Sequence, residues 1–442
     1  MTTPSAEGAT PPVGFRAKLK QVGPGLLAAA TGVGSGDLVA TMIAGSEYGY
    51  ALLWAAVLGA ALKLALAEGA GRWHLASGST LLDGWRSLGY WATVFFGVYI
   101  VIFGFVYGAS AMGAVGLPLN ALFGGLDVRY WAMIAGVVGM ALVWVQRYQA
   151  FEKFVTVLVL IKFVTVVSIA ILVVPDLAAI GNGLVPRLPE GSGIYVLGLI
   201  GGVGVTITIS AYGYWMIAKG WKGTGWLSMM RLDNAIGYVM TAIFVIAMLI
   251  VGAEMLLGQD IVSGDEGLLT LGTDLGERYG EWARILFLVG FLAVTTTSLI
   301  GSWNGVSLLF ADWTRTIRLP HGKKAEVGAG EQLTPTAPAT VTETGYAAEA
   351  AERSVPFRAY LLWLTLPPMV LLFFDRPFAI TLAYGVLGAA FMPFLGITLL
   401  LLLNSRRVAR GGRSGWLSNT LLTAASALFV VLLVTDLIER FG

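Results

Sequence analysis

The stretch Thr31-Gly-Val-Gly-Ser-Gly-Asp37 interrupts the first long apolar segment of the chain with glycines and polar side chains. A membrane-spanning helix leaves backbone groups free only where they line a cavity or contact a bound solute. A second break, Gly201-Gly-Val-Gly-Val-Thr-Ile-Thr-Ile-Ser210, interrupts the sixth apolar segment, five segments later. An inverted repeat of five helices would place the counterpart of the first break there. Matched breaks in corresponding helices indicate the solute site of a transporter.

The composition is that of a protein embedded in a membrane. Hydrophobic residues make up 57% of the 442 positions and charged residues 12%, whereas about a quarter of the residues in soluble domains are charged. A helix of about 20 apolar residues crosses a bilayer. Stretches of that kind predict an all-α polytopic membrane protein with eleven transmembrane helices, near residues 22–44, 48–71, 92–116, 130–147, 153–175, 194–218, 234–256, 283–311, 358–374, 378–403 and 416–438.

The basic residues predict the orientation, because Lys and Arg concentrate on the cytoplasmic side. With a cytoplasmic N-terminus, 20 of the 28 Lys and Arg residues fall in cytoplasmic segments and six in outer segments, while Lys63 and Lys162 lie inside spans. We therefore expect a multi-pass protein of the plasma (inner) membrane with its C-terminus outside. The net charge of +2 follows from this topology and gives no reason to expect a nucleic acid partner.

The expected partners are the lipid bilayer and a transported ion or small solute, and we expect the protein to act as a monomer. The chain has no cysteine, which excludes disulfides and thiolate metal ligands. No cofactor motif is recognisable, so the only bound metal that we expect is a transported cation.

The predicted spans divide the chain into four parts. Residues 1–21 are expected to form a cytoplasmic N-terminal tail, residues 22–175 the first repeat, residues 194–403 the second repeat and residues 416–438 the eleventh helix. Within the second repeat, residues 314–357 are rich in Ala, Thr, Glu, Gly and Pro. Such a composition buries little apolar surface and predicts a flexible cytoplasmic loop.

Three motifs near the start of the chain carry a family resemblance. They are Gly23-Pro24 before the first break, Gly-Tyr-Ala-Leu-Leu-Trp at residues 49–54, and Leu-Ala-Ser-Gly-Ser-Thr-Leu at residues 75–81. This opening resembles the Nramp family of proton-coupled divalent-metal transporters. The resemblance implies the fold of the amino acid-polyamine-organocation superfamily. That fold has two inverted five-helix repeats with broken helices 1 and 6, here followed by helix 11.

The metal-binding residues of that family are changed in this chain. Gly34-Ser35-Gly36-Asp37 aligns with the family's Asp-Pro-Gly-Asn. Gly34 therefore replaces the metal-binding aspartate, and Asp37 supplies a carboxylate about one helical turn later. In the sixth span the family has Ala and then Met-Pro-His, where this chain has Gly202 and then Val205-Thr206-Ile207. Because a methionine sulfur selects soft metals, its loss favours a hard divalent cation such as magnesium over manganese or iron.

We predict that residues of both breaks bind the solute. Asp37 is also the candidate metal ligand, because an ionisable group at membrane depth is costly and indicates function. The alternative for Asp37 is to cap the second half of the broken helix, and the alternative for the threonines is local hydrogen bonding within a helix. The predicted solute-binding residues are Gly34, Ser35, Asp37, Gly202, Val205, Thr206 and Thr208.

Two charged residues are candidates for coupling transport to an ion gradient. Lys162 lies about nine residues inside span five. It resembles the lysine that stands in for a sodium ion in proton-coupled amino acid transporters of the superfamily, opposite hydroxyls in span eight, here residues 295–298. The alternative is that Lys162 extends to the cytoplasmic surface. Glu68 is a candidate for the proton pathway, or forms an ordinary ion pair with Arg72 four residues later.

The leading hypothesis is a secondary transporter that works by alternating access around a site between spans one and six. Two alternatives stay open: a transporter of a small organic solute such as an amino acid or amine on the same fold, and a non-transporting sensor or scaffold. The sequence does not predict an enzyme, because no cluster of His, Cys or paired carboxylates lies at membrane depth.

Overall fold

The protein is built from helices. The computed structural model describes residues 10–145, 148–202, 207–257, 265–318, 351–374, 377–408 and 410–441. These residues form helices, turns and connecting segments, and there is no β-strand among them. The predicted all-α fold class is confirmed.

The first five predicted spans correspond to long helices and to one helix that is split in two. The first span forms α2 and α3, and spans two to five form α4, α6, α7 and α8. The helices described up to residue 183 are α1 (Phe15–Leu19), α2 (Pro24–Thr31), α3 (Ser35–Tyr48), α4 (Leu53–Ser77), α5 (Leu81–Leu88), α6 (Tyr90–Phe123), α7 (Val128–Val145), α8 (Tyr148–Leu172) and α9 (Leu177–Gly183).

The second half of the chain repeats this organisation. The sixth predicted span forms α10 and α11, and the later spans form α12, α14, α15 with the 3₁₀ turn after it, α16 and α17. The described helices are α10 (Gly193–Gly202), α11 (Thr208–Ala218), α12 (Leu227–Leu256), α13 (Asp265–Tyr279), α14 (Glu281–Arg318), α15 (Val355–Thr365), α16 (Pro377–Leu403) and α17 (Trp416–Phe441), with 3₁₀ turns at Thr224–Trp226, Pro367–Phe373 and Arg410–Gly412.

Seven helical segments of the described residues are long and apolar enough to cross a membrane. They are Leu53–Ser77, Tyr90–Phe123, Val128–Val145, Tyr148–Leu172, Thr224–Leu256, Glu281–Arg318 and Val355–Phe373. The other four predicted spans coincide with the split helices α2/α3 and α10/α11 and with α16 and α17. The count of eleven spans stays a prediction.

Short helices lie between predicted spans, where the apolar pattern did not indicate them. The capping interactions at their ends explain two of these helices. At α5 the Thr80 hydroxyl accepts the Asp83 N–H (3.2 Å), and at α9 the Asp176 carboxylate accepts the Ala178 N–H (2.8 Å). Such caps satisfy amide groups that a helix start leaves without a partner. The third, α13, lies between spans seven and eight.

Close helix contacts position the four half-helices against α4 and α12. A Cβ atom added to Gly252 of α12 would lie 2.7 Å from Met42 O of α3, and one added to Gly59 of α4 would lie 2.9 Å from Ile200 Cα of α10. Small residues at such crossings let membrane helices approach closely. The packing therefore fixes α3 and α10 beside the two breaks. Below, the inner end of the bundle means the end that carries α1, which the charge pattern predicts to be cytoplasmic.

Candidate functional site

The first predicted span is broken at three residues. α2 ends at Thr31 and α3 begins at Ser35, so residues 32–34 form a non-helical connection. Gly34 O accepts the N–H of Leu38 (3.3 Å) as the first hydrogen bond of α3. Because a helix leaves its last carbonyls without partners inside the helix, the end of α2 presents backbone oxygen at the break. The predicted break in helix 1 is confirmed.

Two predicted site residues lie at the start of the second half of this helix. Ser35 and Asp37 belong to the first turn of α3. Direct binding of a solute by Asp37 stays a prediction.

The sixth predicted span comprises two helices, α10 and α11. Gly202 is the last residue of α10, and Thr208 is the first residue of α11. The middle of the predicted break, residues 203–206, lies outside the described residues, and with it the predicted site residues Val205 and Thr206. The break in helix 6 stays a prediction.

Two hydroxyl groups are buried in the first turn of α11. Thr208 is 0% exposed and Ser210 is 1% exposed. Within the part of the chain that the structure describes, neither hydroxyl has a hydrogen-bond partner. Burying a hydroxyl without a partner costs about 1–3 kcal/mol, so both would gain free energy by binding an ion or a polar solute. Thr208 thus lies in the first turn of α11, and solute binding by Thr208 stays a prediction.

Three hydroxyl groups of α6 and α14 meet next to the first break. Tyr107 Oη of α6 lies 2.8 Å from Ser302 Oγ, 3.2 Å from Ser298 Oγ and 3.0 Å from Ser298 O, both serines belonging to α14. A Cβ atom added to Gly34 would lie 3.1 Å from Ser298 Oγ. We call Tyr107, Ser298 and Ser302 the hydroxyl cluster. Its Ser298 faces the residue at which the first span is broken.

The neighbouring threonines of α14 do not take part in this cluster. Thr295 Oγ1 donates to Phe291 O (3.0 Å), and Thr297 Oγ1 donates to Ala293 O (2.5 Å). Both hydroxyls therefore bond to carbonyls of their own helix, as threonines in helices commonly do. Of these three residues in the polar run 295–298, Ser298 is the one whose described hydroxyl contact crosses to another helix.

Lys162 is buried between α8, α2 and α12. Its side chain is 4% exposed and lines a cavity of about 20 Å³ together with Val33 of the first break and Thr241 of α12. Its Nζ lies 5.9 Å from the centre of the Phe244 ring, within cation–π range. The ammonium group thus contacts the middle part of α12 and lies beside the first break, where the coupling hypothesis expects it. Its role in coupling stays a prediction.

Glu68 forms ion pairs with two arginines. It contacts Arg72 on the next turn of α4, as the ion-pair alternative expects, and its Oε1 also lies 3.0 Å from Arg231 Nε of α12. The second pair links α4 to α12 near the inner end. A role of Glu68 in a proton pathway stays a prediction.

A buried carboxylate holds the inner halves of both broken helices. Asp233 of α12 is 0% exposed. It accepts the N–H groups of Gly23 (2.8 Å) and Gly25 (2.5 Å) at the start of α2, and the hydroxyl of Tyr212 (3.1 Å) on α11. An anionic side chain at a helix N-terminus satisfies free amides and complements the dipole. Asp233 therefore links α2 and α11 to α12.

A second carboxylate holds α11 from the other side. Asp312 of α14 is 0% exposed and accepts the Tyr214 hydroxyl at 2.7 Å. Arg315 bridges Asp312 and Asp83, with N···O distances of 2.6 and 2.7 Å. Because Asp83 belongs to α5, this network joins α11, α14 and the helix between spans two and three. We call Asp233 and Asp312, with their partners, the inner anchors.

The described residues offer a cation oxygen ligands, but they do not form a cluster of carboxylates. They contain no group of three or more His, Cys, Asp or Glu side chains that could hold a metal ion. Apart from Asp37, the donors that the described residues bring to the ends of the half-helices are hydroxyl and backbone carbonyl oxygens. Hard cations prefer such donors.

Comparison with known proteins decides the family. The family model described as natural resistance-associated macrophage protein-like (Nramp) matches residues 25–439. The chain belongs to the Nramp family. The divalent metal cation transporter MntH of Deinococcus radiodurans is 25% identical over 313 residues, which cover 67% of this chain and 70% of that Nramp-family relative. The MntH of Yersinia pestis is 26% identical over 200 residues, covering 43% of this chain and 47% of the relative.

Solved structures share the Nramp fold with this chain. A variant of the manganese transporter from Eremococcus coleocola superposes with a TM-score of 0.75 at 16% identity, covering 98% of this chain and 91% of that one. MhsT in complex with L-phenylalanine superposes with a TM-score of 0.54 at 14% identity, covering 94% of this chain and 98% of that one. Both likenesses concern the fold, and the family resemblance predicted from the opening motifs is confirmed.

Sequence reasoning missed several polar residues around the site of this Nramp protein. Asp233 stands one residue before the predicted start of span seven at residue 234, whereas α12 already begins at Leu227. Tyr107 and Ser302 lie inside predicted spans three and eight, where isolated hydroxyls are ordinary. The available signal was weak: an aspartate at the edge of an apolar run for Asp233, and no recognisable pattern for the other two.

Proposed function

We propose that this protein is a secondary transporter that carries a divalent cation across the membrane by alternating access around its two helix breaks. The observation that carries the proposal is the break at residues 32–34, together with the division of the sixth span into α10, which ends at Gly202, and α11, which begins at Thr208. Broken helices supply backbone and side-chain ligands at membrane depth. Nramp relatives whose names state divalent metal cations or manganese support a metal ion as the solute.

Magnesium is the cation that we propose. The support comes from the donors beside the breaks: the buried hydroxyls of Thr208, Ser210 and Ser298, and the backbone carbonyls at the end of α2. Mg²⁺ prefers oxygen ligands and keeps several of its water molecules. It therefore needs few charged ligands from the protein, which suits a site whose described residues supply hydroxyls and carbonyls.

The inner anchors supply the element that has to change during transport. Asp233 joins α2 and α11 to α12, and Asp312 joins α11 to α14. For the site to open toward the inner end, the half-helices α2 and α11 have to move relative to α12 and α14. We propose that these hydrogen bonds break when the site opens inward and form again when it closes.

Lys162 is the residue that we propose for coupling transport to a proton gradient. Its buried position beside the first break supports this role. A positive charge there repels a cation in the break, so release of a proton from Lys162 would favour cation binding. The two events are then linked, and by the same linkage a bound cation favours the neutral lysine.

The first test is uptake into proteoliposomes. Wild-type protein is reconstituted, and uptake of Mg²⁺ and of Mn²⁺ is measured with and without a pH gradient. We expect saturable Mg²⁺ uptake that Asp37→Ala reduces at least tenfold. The matched control is Asp127→Ala, because Asp127 lies in the connection between α6 and α7 and pairs with Arg129. This control should transport as the wild type does.

The outcomes separate the proposed ion from its rivals. Mn²⁺ uptake without Mg²⁺ uptake would overturn the choice of magnesium and keep a divalent-cation transporter. No uptake of either ion by folded protein would overturn the cation proposal. Binding of amino acids or amines to the same protein would then favour the organic solute.

The coupling residue is tested in the same liposomes. Lys162→Met removes the charge and keeps an unbranched apolar side chain. We expect this variant to exchange cation at near wild-type rates without a gradient and to lose the acceleration that a pH gradient gives. The control is Lys153→Gln at the exposed start of α8, which should keep that acceleration. Equal responses of Lys162→Met and wild type to the gradient would overturn the coupling role.

A further inference from the structure

We propose that Ser298 of α14 is a solute-binding residue, held in place by Tyr107 and Ser302. The inference rests on the proposed function. It adds residues of α6 and α14 to a solute site that otherwise consists of residues from the two broken helices. It starts from one contact: the residue at the break, Gly34, has no side chain, and the Ser298 hydroxyl stands 3.1 Å from the place where its Cβ would be. Ser298 Oγ therefore lies next to the backbone of the break.

The hydroxyl cluster is buried and well ordered by contacts across two helices. Tyr107 is 4% exposed, Ser298 is 7% exposed and Ser302 is 1% exposed. Tyr107 Oη lies 2.8 Å from Ser302 Oγ and 3.2 Å from Ser298 Oγ. Buried hydroxyls held in such a network are fixed in position more firmly than isolated ones.

The Ser298 hydroxyl can accept as well as donate a hydrogen bond. It carries one proton and two lone pairs, and its contact with Tyr107 Oη occupies either the proton or one lone pair. Oxygen lone pairs beside the break are suitable ligands for a hard cation or for a water molecule that the cation carries.

The burial of the cluster at a helix break also argues for a ligand rather than for packing alone. Thr295 and Thr297 of α14 satisfy their hydroxyls by donating to carbonyl groups of their own helix. Ser298 instead faces the break on one side and Tyr107 on the other.

The experiment compares two neighbouring residues of α14 in reconstituted protein. Ser298→Ala removes the proposed ligand, and we expect it to raise the KM for Mg²⁺ uptake about tenfold with little change in the maximal rate. Thr297→Val removes the adjacent hydroxyl, which bonds to its own helix, and should leave the KM unchanged. Tyr107→Phe removes only the support for Ser298 and should raise the KM by a smaller factor.

A double-mutant cycle tests the contact at the break itself. Gly34→Ala places a Cβ against Ser298 Oγ and should raise the KM on its own. If both residues act at one point, the effects of Gly34→Ala and Ser298→Ala combine to much less than their product, whereas independent sites multiply. Direct titration of purified protein with Mg²⁺ should reproduce the ranking of the variants.

The outcomes distinguish failure of this inference from failure of the proposed function. A wild-type KM in Ser298→Ala overturns the inference while leaving wild-type transport in place. Equal losses in Ser298→Ala and Thr297→Val also overturn it, because they indicate damage to α14. If wild-type protein moves neither Mg²⁺ nor Mn²⁺, the proposed function fails first, and the inference fails with it.

Discussion

The single carboxylate of Asp233 joins α2 and α11 to α12 through three hydrogen bonds. Asp233→Ala removes three hydrogen bonds and leaves two amides at the start of α2 without an acceptor. Hydrogen bonds to a charged group contribute about 1.5–3 kcal/mol each. We therefore expect the thermal unfolding midpoint in detergent to fall by several degrees, and Asp233→Asn, which keeps one acceptor, to fall less.

The control for Asp233 is the exposed carboxylate of Asp127. Asp127 pairs with Arg129, and an exposed ion pair contributes at most about 1 kcal/mol. Its Oδ1 also accepts the N–H of Arg129 (3.0 Å), a cap that asparagine can replace. Asp127→Asn should keep the wild-type midpoint within about one degree. A wild-type midpoint in Asp233→Ala would show that α2 and α11 are held by apolar packing instead.

Residues of the site differ in how far the sequence could predict them. Gly34, Thr208 and Lys162 follow from local features: a glycine or hydroxyl at a break in an apolar run, and a charge inside one. Tyr107 and Ser302 are 195 positions apart in the sequence, and their contact is set by the packing of α6 against α14. No local pattern encodes such a pairing, so the hydroxyl cluster emerged only from the structure.

The half-helices depend on close packing, and α4 offers a matched pair of glycines to test this. A Cβ at Gly59 would lie 2.9 Å from Ile200 Cα, so Gly59→Ala has to push α10 away. A Cβ at Gly69 would lie 3.4 Å from the methyl groups of Leu399 and Leu403, which can adjust. Overpacking costs about 1–3 kcal/mol, whereas alanine in a helix otherwise gains up to about 1 kcal/mol over glycine.

We therefore expect Gly59→Ala to lower the unfolding midpoint and to reduce Mg²⁺ uptake at least threefold. Gly69→Ala should keep or raise the midpoint and transport normally. Thermal unfolding of purified protein and uptake in liposomes measure both effects. If the two variants behave alike, the contact between α4 and α10 does not position the break.

At the scale of helices, apolar length was a good guide to the spans and a poor guide to the connections. The helix predicted for residues 153–175 extends over Tyr148–Leu172, and the break in the first span lies where the glycines predicted it. The short helices α5, α9 and α13 were not predicted. They are too short or too polar to give a membrane-like pattern, and α5 and α9 are stabilised by caps that a search for apolar length ignores.

The whole molecule is held together across the breaks at both ends. At the inner end the two anchors join α2 and α11 to α12 and α14. Toward the other end the half-helices α3 and α10 meet through Tyr48 and Tyr195, whose ring centres are 5.2 Å apart. Alternating access requires these two sets of contacts to open in turn. The anchors combine charge and hydrogen bonds, whereas the aromatic contact is apolar.

The orientation of the molecule can be tested with single introduced cysteines. The chain has no cysteine of its own, so each introduced thiol is the one that a thiol reagent labels. Leu126→Cys lies between α6 and α7, Arg406→Cys lies in the exposed turn after α16, and Gly442→Cys marks the C-terminus. With eleven spans and an inner N-terminus, a membrane-impermeant maleimide added to intact cells should label residues 126 and 442 and spare residue 406. Permeabilised cells, in which all three thiols become accessible, provide the control. Labelling of residue 126 without residue 442 would require an even number of spans. Labelling of residue 406 alone would require the opposite orientation. The anchors of Asp233 and Asp312 would then lie at the outer face of the membrane.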